Sequence, residues 1–134
     1  MNISILLITH GGFGGELIEA VSEIMGRREG VDFFTVPRGS KLDKIKDDLS
    51  RRVQAALSDS QVLILTDIPG GTPTNIALPF LSDKNVEILT GVNMPMLLTS
   101  IHRRSSVGDV RELAETVSDA ARKSITDCRE FFNE

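Results

Sequence analysis

The amino-acid sequence predicts a doubly wound α/β fold with a mostly parallel sheet flanked by helices. Short apolar runs rich in β-branched residues suit strands that are covered on both faces. Stretches with apolar residues at helical spacing lie between these runs, and the loops that join them are short. Because the 134 residues contain no linker-like or repeated segment, we expect one domain over residues 1–134.

The first half of the chain contains three predicted strands and two predicted helices. Residues 3–8 form an almost continuously apolar run, which predicts a central strand. Glycines follow this run, and an apolar stripe then predicts a helix that ends at Gly26. The second strand is expected at residues 31–36, and the second helix is expected to begin with Ser40 as its N-cap. A buried third strand is predicted at residues 61–66.

The second half of the chain continues the alternation of strands and helices. A third helix is predicted over residues 73–81, because proline is tolerated in a first helical turn, and a fourth strand over residues 86–90. Two more helices are expected near residues 95–101 and over residues 109–121. The tail, residues 124–134, is compatible with a helical continuation or a short strand.

The predicted topology brings two loops together. Open parallel sheets bind ligands beyond the carboxyl ends of their strands, at the point where the winding of the chain reverses. In a flavodoxin-like strand order of 2-1-3-4, the first and third strands are neighbours that flank this point. The loop after the first strand contains His10, and the loop after the third strand begins with Asp67. We therefore expect the His10 and Asp67 side chains to face each other.

These residue types indicate a phosphoryl-accepting histidine. A carboxylate such as Asp67 that accepts the Nδ1 proton of an imidazole fixes the tautomer and leaves Nε2 nucleophilic, which makes His10 the candidate nucleophile. Gly70, Gly71 and Thr72 precede the predicted third helix, where backbone N–H groups and a hydroxyl can bind an anion. Both glycines are also expected to adopt positive φ in this turn.

Other features exclude several classes of protein. The chain has no G-x-x-x-x-G-K-[ST] loop and no obvious acidic cluster for magnesium, so we expect no metal, no cofactor and another protein as phosphoryl donor. A net charge of -4 without a long basic run argues against nucleic acid. The lone Cys128 excludes an intramolecular disulfide. The apolar run at the amino terminus is too short for a signal peptide or a membrane span, so we expect a cytoplasmic protein without membrane insertion.

Three motifs at this spacing form a specific pattern. They are Ile8-Thr9-His10-Gly11, then Asp67 followed by Gly70-Gly71-Thr72-Pro73-Thr74-Asn75, and finally Gly91-Val92-Asn93-Met94-Pro95-Met96-Leu97. Over nearly its whole length the chain resembles the enzyme IIA domain of the mannose family of the bacterial phosphoenolpyruvate-dependent sugar phosphotransferase system.

The resemblance implies a phosphotransferase component with a phosphohistidine intermediate. His10 would take a phosphoryl group from the phosphocarrier HPr on Nε2 and hand it to a sugar-specific IIB component. Asp67 would orient the imidazole, and Thr72 would hydrogen-bond the phosphoryl oxygens. The resemblance also implies a homodimer in which C-terminal segments are exchanged as an added antiparallel strand. Because these 134 residues hold no IIB domain, we expect either that the acceptor is a separate protein or that the chain has no downstream acceptor.

Three residues near the predicted site are candidates for contact with a partner protein. Phe13 and Pro69 lie in the two loops and could form an apolar rim under a docked phosphocarrier, and Arg38, after the second strand, could approach the same edge. Thr74 is interpreted as a helix cap.

The alternative function is that of a regulatory IIA-like module whose phosphorylation state controls binding to a kinase or transcriptional regulator.

Overall fold

The computed structural model describes residues 2–132 of the chain. Strands and helices alternate along this part of the chain, with one 3₁₀ helix, Leu78–Ser82, after the third α-helix. The strands are β1 (Asn2–His10), β2 (Val31–Val36), β3 (Ser60–Thr66) and β4 (Val86–Leu89). The α-helices are α1 (Phe13–Met25), α2 (Leu42–Leu57), α3 (Thr72–Ala77), α4 (Met94–Arg103), α5 (Val110–Ser124) and α6 (Cys128–Phe132).

The four strands form a parallel sheet in the order β2-β1-β3-β4, which confirms the predicted flavodoxin-like topology. The chain moves outward from β1 to β2 and then returns across β1 to β3. The direction of winding therefore reverses between β1 and β3, the two central strands. Their carboxyl ends lie side by side, with Ile8 opposite Thr66. This pair of strand ends is where an open α/β sheet is expected to bind a ligand.

Apolar layers cover both faces of the sheet. One layer contains residues of α1, α4 and α5, and the other contains residues of α2 and α3. Successive residues of β1 alternate between them, so that Ile5 and Leu7 belong to the first layer while Leu6 and Ile8 belong to the second. Because both faces are buried, the central strands can be almost wholly apolar, which explains why continuous apolar runs predict them.

Two predicted helix boundaries are wrong. The residue before α2 is Lys41 in an extended conformation, not Ser40, and no side chain caps this helix. The third predicted helix is interrupted, because α3 ends at Ala77 and continues as the 3₁₀ helix Leu78–Ser82. Pro79 accounts for this change, since proline lacks the N–H that an α-helix interior needs and its ring collides with the preceding turn.

The tail forms neither an extension of α5 nor a strand in the single chain. Residues 125–127 have no regular structure, and the short helix α6 follows them. Its apolar side chains, Phe131 and Phe132, are largely exposed, as is Ile125. Residues 133–134 of the predicted tail lie outside the described residues. The exchange of this segment between two protomers stays a prediction.

Candidate functional site

His10 and Asp67 meet at the carboxyl ends of the two central strands. His10 is the last residue of β1, and Asp67 directly follows the last residue of β3. The parallel pairing of these strands brings the two residues to the same edge of the sheet. The contact expected from the predicted topology is therefore present.

The Asp67 carboxylate binds His10 twice. Its Oδ2 atom accepts one hydrogen bond from the His10 backbone N–H and one from ring atom Nδ1, each 2.8 Å long. Its Oδ1 atom accepts a third hydrogen bond, from the backbone N–H of Ile68, at 2.9 Å. The carboxylate is thus oriented by donors at both oxygens, and it holds the His10 ring against the backbone of the same residue.

These contacts keep Asp67 ionised. Burial of the carboxyl group alone would raise its pKa, but the hydrogen bonds from His10 and Ile68 and the charge interaction with the ring together outweigh burial, so the pKa of Asp67 lies below its ordinary value. An ionised carboxylate only accepts hydrogen bonds, so Nδ1 must be the donor. In a neutral ring the lone pair then resides on Nε2, which has no hydrogen-bond partner within residues 2–132.

The imidazole stays accessible although one of its nitrogens is bound. The His10 side chain is 52% exposed, whereas the Asp67 side chain is only 12% exposed. The Asp67 carboxylate is therefore shielded from solvent, whereas the His10 ring that it orients is exposed. A histidine that must react with a group carried by another protein needs this combination.

The loop after Asp67 approaches the ring closely. A Cβ atom on Gly71 would lie 3.1 Å from Cε1 of His10 and 3.0 Å from Cγ1 of Ile68, so one of these side chains would have to shift by a few tenths of an ångström. Gly70 has a positive φ of 79°, as expected, but Gly71 is extended with a φ of -81°. The prediction of positive φ is therefore wrong for Gly71, and glycine there lets the imidazole pack closely against the backbone of the loop.

Backbone donors are free at this loop. Within residues 2–132, the N–H groups of Gly71 and Thr72 donate to no protein acceptor, as expected for the start of a helix, whereas the Asn75 N–H already binds the Gly71 carbonyl oxygen. Thr72 itself is exposed and lines the same cleft as His10. The loop thus offers amides and a hydroxyl near the ring.

A buried hydroxyl pair anchors the loop to the sheet. Thr74 is buried, and its hydroxyl donates a 2.6 Å hydrogen bond to the carbonyl oxygen of Ile68. The same hydroxyl lies 2.7 Å from Oγ1 of Thr66, the last residue of β3. Thr74 therefore acts inside the loop, and its interpretation as a helix cap is wrong, since the N-cap of α3 is Gly71 and no side chain caps this helix.

The third motif of the sequence, residues 91–97, supports the backbone at the start of the same loop. The Gly91 N–H donates to the Asp67 carbonyl oxygen at 3.0 Å, and the Val92 N–H donates to the Thr66 carbonyl oxygen at 2.9 Å. Gly91 has a φ of 81°, which lies in the left-handed region that favours glycine. These bonds extend the β3 end beyond its last residue, and they hold the backbone from which the Asp67 side chain projects.

An open cleft of about 580 Å³ lies beside the ring. It is lined by His10, Gly11 and Thr72 together with residues 36–40, Leu42 and Ile45. Arg38 is thus part of this cleft. The other two residues expected to contact a partner are Phe13, the first residue of α1, and Pro69, in the loop after β3; both are exposed but do not line the cleft.

The described residues contain no other obvious chemical centre. Among residues 2–132 there is no group of three or more His, Cys, Asp or Glu side chains placed to hold a metal ion. No helix in this range combines the length and the apolar character that crossing a bilayer requires. The site is therefore described by its imidazole, its carboxylate and its glycine-rich loop.

Comparison with known families agrees with this geometry. The sequence model of the family described as "EIIA-man: PTS system fructose IIA component" matches residues 4–118, which is most of the chain. The chain belongs to this family. It is a mannose-family IIA component of the sugar phosphotransferase system, and its match extends from β1 into α5.

The matches to individual relatives of this IIA component are low in sequence identity but cover most of the chain. It is 26% identical over 126 residues to the "PTS system mannose-specific EIIAB component" of Escherichia coli (strain K12), covering 93% of the chain but only 39% of that relative's length. It is also 26% identical over 129 residues to the "PTS system fructose-specific EIIA component" of Bacillus subtilis (strain 168), covering 96% of the chain and 88% of that relative.

A solved structure shares the fold of the IIA component over its whole length. The PTS IIA protein associated with the fucose utilization operon of Streptococcus pneumoniae superposes with a TM-score of 0.85 at 27% identity. The match covers 98% of this chain and 97% of the other. The doubly wound sheet is therefore that of solved IIA proteins.

Proposed function

We propose that His10 accepts a phosphoryl group on Nε2 from the phosphocarrier HPr and passes it to a sugar-specific IIB component. The observation that carries this proposal is the 2.8 Å hydrogen bond between Nδ1 of His10 and Oδ2 of Asp67. It directs the ring proton to Nδ1 and leaves the Nε2 lone pair for the reaction. Membership in the IIA family supports the same role.

In the proposed step, a phosphoryl group moves from the imidazole of the donor's phosphohistidine to the imidazole of His10. The Nε2 lone pair of His10 forms the new N–P bond while the N–P bond of the donor breaks, and the donor ring keeps the bonding electrons. The proton on Nδ1 of His10 remains hydrogen-bonded to Asp67, whose negative charge stabilises the ring as it loses electron density. No metal is required for the electron balance of this transfer.

The loop after β3 would hold the phosphoryl oxygens. The free N–H groups of Gly71 and Thr72 and the exposed Thr72 hydroxyl lie on the loop that packs against the ring. Gly70, with its positive φ, lets the chain turn so that these donors follow each other closely. Because α3 has only six residues, the individual donors matter more here than a helix dipole.

The donor and the acceptor would use the exposed face around His10. Phe13 is 45% exposed and Pro69 is also exposed, so both can contribute apolar surface to a transient interface around the imidazole. We place both transfer steps in the cytoplasm, and we propose that the chain acts there as a homodimer.

Phosphoryl transfer from phosphoenolpyruvate tests the proposal. The chain is incubated with phosphoenolpyruvate, enzyme I and HPr, and mass spectrometry measures the addition of one phosphate. The His10→Ala variant should take up none, whereas His102→Ala, which removes the other histidine of the sequence, should be labelled like the wild type. Equal labelling of the His10→Ala variant would refute the proposal.

The same labelled protein addresses the regulatory alternative. Rapid loss of the phosphoryl group to an isolated IIB component supports the transport role. Stable phosphorylation in the presence of IIB components, together with binding to a kinase or regulator in only one phosphorylation state, would support the regulatory role instead.

A further inference from the structure

The cleft beside His10 contains a cation with no partner inside the protein. Arg38 lines this cleft, and within residues 2–132 no hydrogen bond or ion pair involves its guanidinium group. Other arginines of the chain are paired with carboxylates, namely Arg28, Arg51, Arg52 and Arg111. No Asp or Glu side chain lines the cleft. In the described part of the chain, Arg38 is therefore the one Arg, Lys, Asp or Glu side chain that lines the cleft, and the Asp67 carboxylate binds the Nδ1 side of the His10 ring.

The backbone brings Arg38 to the reacting side chain. His10 and Val36 are register partners on the neighbouring strands β1 and β2, whose backbones lie about 4.8 Å apart. Arg38 follows Val36 by two residues. Pro37 fixes φ on one side of it, and Gly39, with a φ of 77°, makes the turn on the other. The β2–α2 loop thus places Arg38 in the lining of the cleft that also contains the His10 imidazole.

We propose that Arg38 is a phosphoryl-binding residue, whose guanidinium group hydrogen-bonds the oxygens of the phosphoryl group carried on Nε2 of His10. This inference rests on the proposed phosphorylation of His10. Thr72 lines the same cleft, so the phosphoryl group would lie between a cation on the β2–α2 loop and the hydroxyl and amides of the β3–α3 loop. The planar donor fork of arginine matches phosphate oxygens in a bidentate manner.

The proposed role differs from partner docking in a measurable way. A residue that only docks the donor changes the forward and reverse transfer rates by the same factor, so the equilibrium constant of transfer is unaffected. A residue that binds the phosphoryl group stabilises phosphorylated over unphosphorylated His10 and shifts that equilibrium constant.

The experiment compares the equilibrium distribution of the phosphoryl group between HPr and this chain for the wild type, Arg38→Gln and Arg38→Lys. The matched control is Arg122→Gln, which removes the same charge from the exposed side of α5. Arg38→Gln should lower the equilibrium constant about tenfold, the size expected for one charge-assisted hydrogen bond. Arg38→Lys should recover part of this loss, and Arg122→Gln should match the wild type.

A partner-free measurement completes the test. Phosphoramidate can load His10 directly, since its own P–N bond breaks as the Nε2–P bond forms and ammonia departs with a proton. The ³¹P resonance of the loaded protein is then followed against pH. A nearby cation favours the dianionic phosphoryl group, so the midpoint should be higher for Arg38→Gln than for the wild type.

The outcomes separate this inference from the proposed function. An equilibrium constant and a ³¹P midpoint that are unchanged in Arg38→Gln would overturn the role of Arg38 while leaving His10 phosphorylation intact. A wild-type chain that takes no phosphoryl group from either donor would refute the proposed function itself.

Discussion

Asp67 accepts two hydrogen bonds from a single residue, His10, through one oxygen atom: the backbone N–H and ring atom Nδ1 both donate to Oδ2 at 2.8 Å. The first bond fixes the end of β1, and the second fixes the orientation of the imidazole. A single carboxylate therefore joins the two central strands beyond their last common pair and sets the tautomer of the ring that they present.

Replacing Asp67 by asparagine should slow phosphorylation of His10 about tenfold or more. The carboxylate accepts hydrogen bonds at both oxygens, from His10 and from Ile68, whereas an amide can accept at only one and donates at the other. One donor therefore faces another donor in either orientation of the amide. Quench-flow transfer from HPr measures the rate.

The control for this variant is Asp59→Asn, an exposed aspartate that precedes β3 at the opposite end of the strand. It should transfer at the wild-type rate. A wild-type rate for Asp67→Asn would show that Asp67 only supports the backbone.

The lowered pKa of Asp67 predicts a pH-dependent contribution to stability. A carboxyl whose pKa is lower in the folded state than in the unfolded state stabilises the fold above its ordinary pKa of about 3.8, and this contribution disappears as the pH falls through the folded pKa. Urea unfolding at about pH 7 should therefore show the wild type to be more stable than Asp67→Asn, and the difference should shrink below about pH 4. A difference that grows with acidification would contradict the assigned ionisation.

Adding a methyl group at Gly71 should impair the site more than the fold. The new Cβ would contact Cε1 of His10 at 3.1 Å, so the ring or the loop must move, whereas the φ of -81° is acceptable for alanine. We expect phosphorylation by phosphoramidate to fall several-fold. Gly12→Ala is the control, because its Cβ would have no atom within 4 Å and its φ is -85°. Equal rates for both variants would show that the close approach is irrelevant to the reaction.

The Thr74→Val substitution tests the buried hydroxyl that anchors the β3–α3 loop. It keeps the shape of the side chain but leaves the Ile68 carbonyl oxygen and the Thr66 hydroxyl without their partner, which should cost about 1–3 kcal/mol of unfolding free energy. Denaturant unfolding measures this loss. Adding Thr66→Val to the Thr74→Val variant should lower the unfolding free energy by less than Thr66→Val lowers it in the wild type, because the two hydroxyls bind each other. Full additivity would contradict a shared network.

The sequence was sufficient to predict the elements that position the site. The apolar runs of β1 and β3 are continuous because both faces of the central strands are buried, and this pattern leaves little ambiguity. The flavodoxin-like strand order, which the sequence analysis takes as its premise, then brings His10 and Asp67 to one edge. The pairing of these two residues depends only on topology, which is why sequence reasoning reaches it.

Details that depend on exact backbone geometry were not predictable in the same way. The advantage of glycine at Gly71 comes from the close approach of the imidazole, which belongs to β1, and not from the φ of Gly71. Thr74 has the residue type and position of a cap, but its hydroxyl reaches back to Ile68. Pro79 was the one local signal available for the early end of α3, and the apolar spacing around it masks that signal.

The most direct test of the account identifies which ring nitrogen of His10 carries the phosphoryl group. A His102→Ala variant, which retains one histidine, is labelled with ¹⁵N in its imidazole, phosphorylated with phosphoramidate and studied by ³¹P–¹⁵N correlation NMR. The hydrogen bond between Nδ1 and Asp67 predicts coupling of phosphorus to Nε2, with Nδ1 still protonated. Coupling to Nδ1, or a phosphoryl group on any other residue, would contradict it.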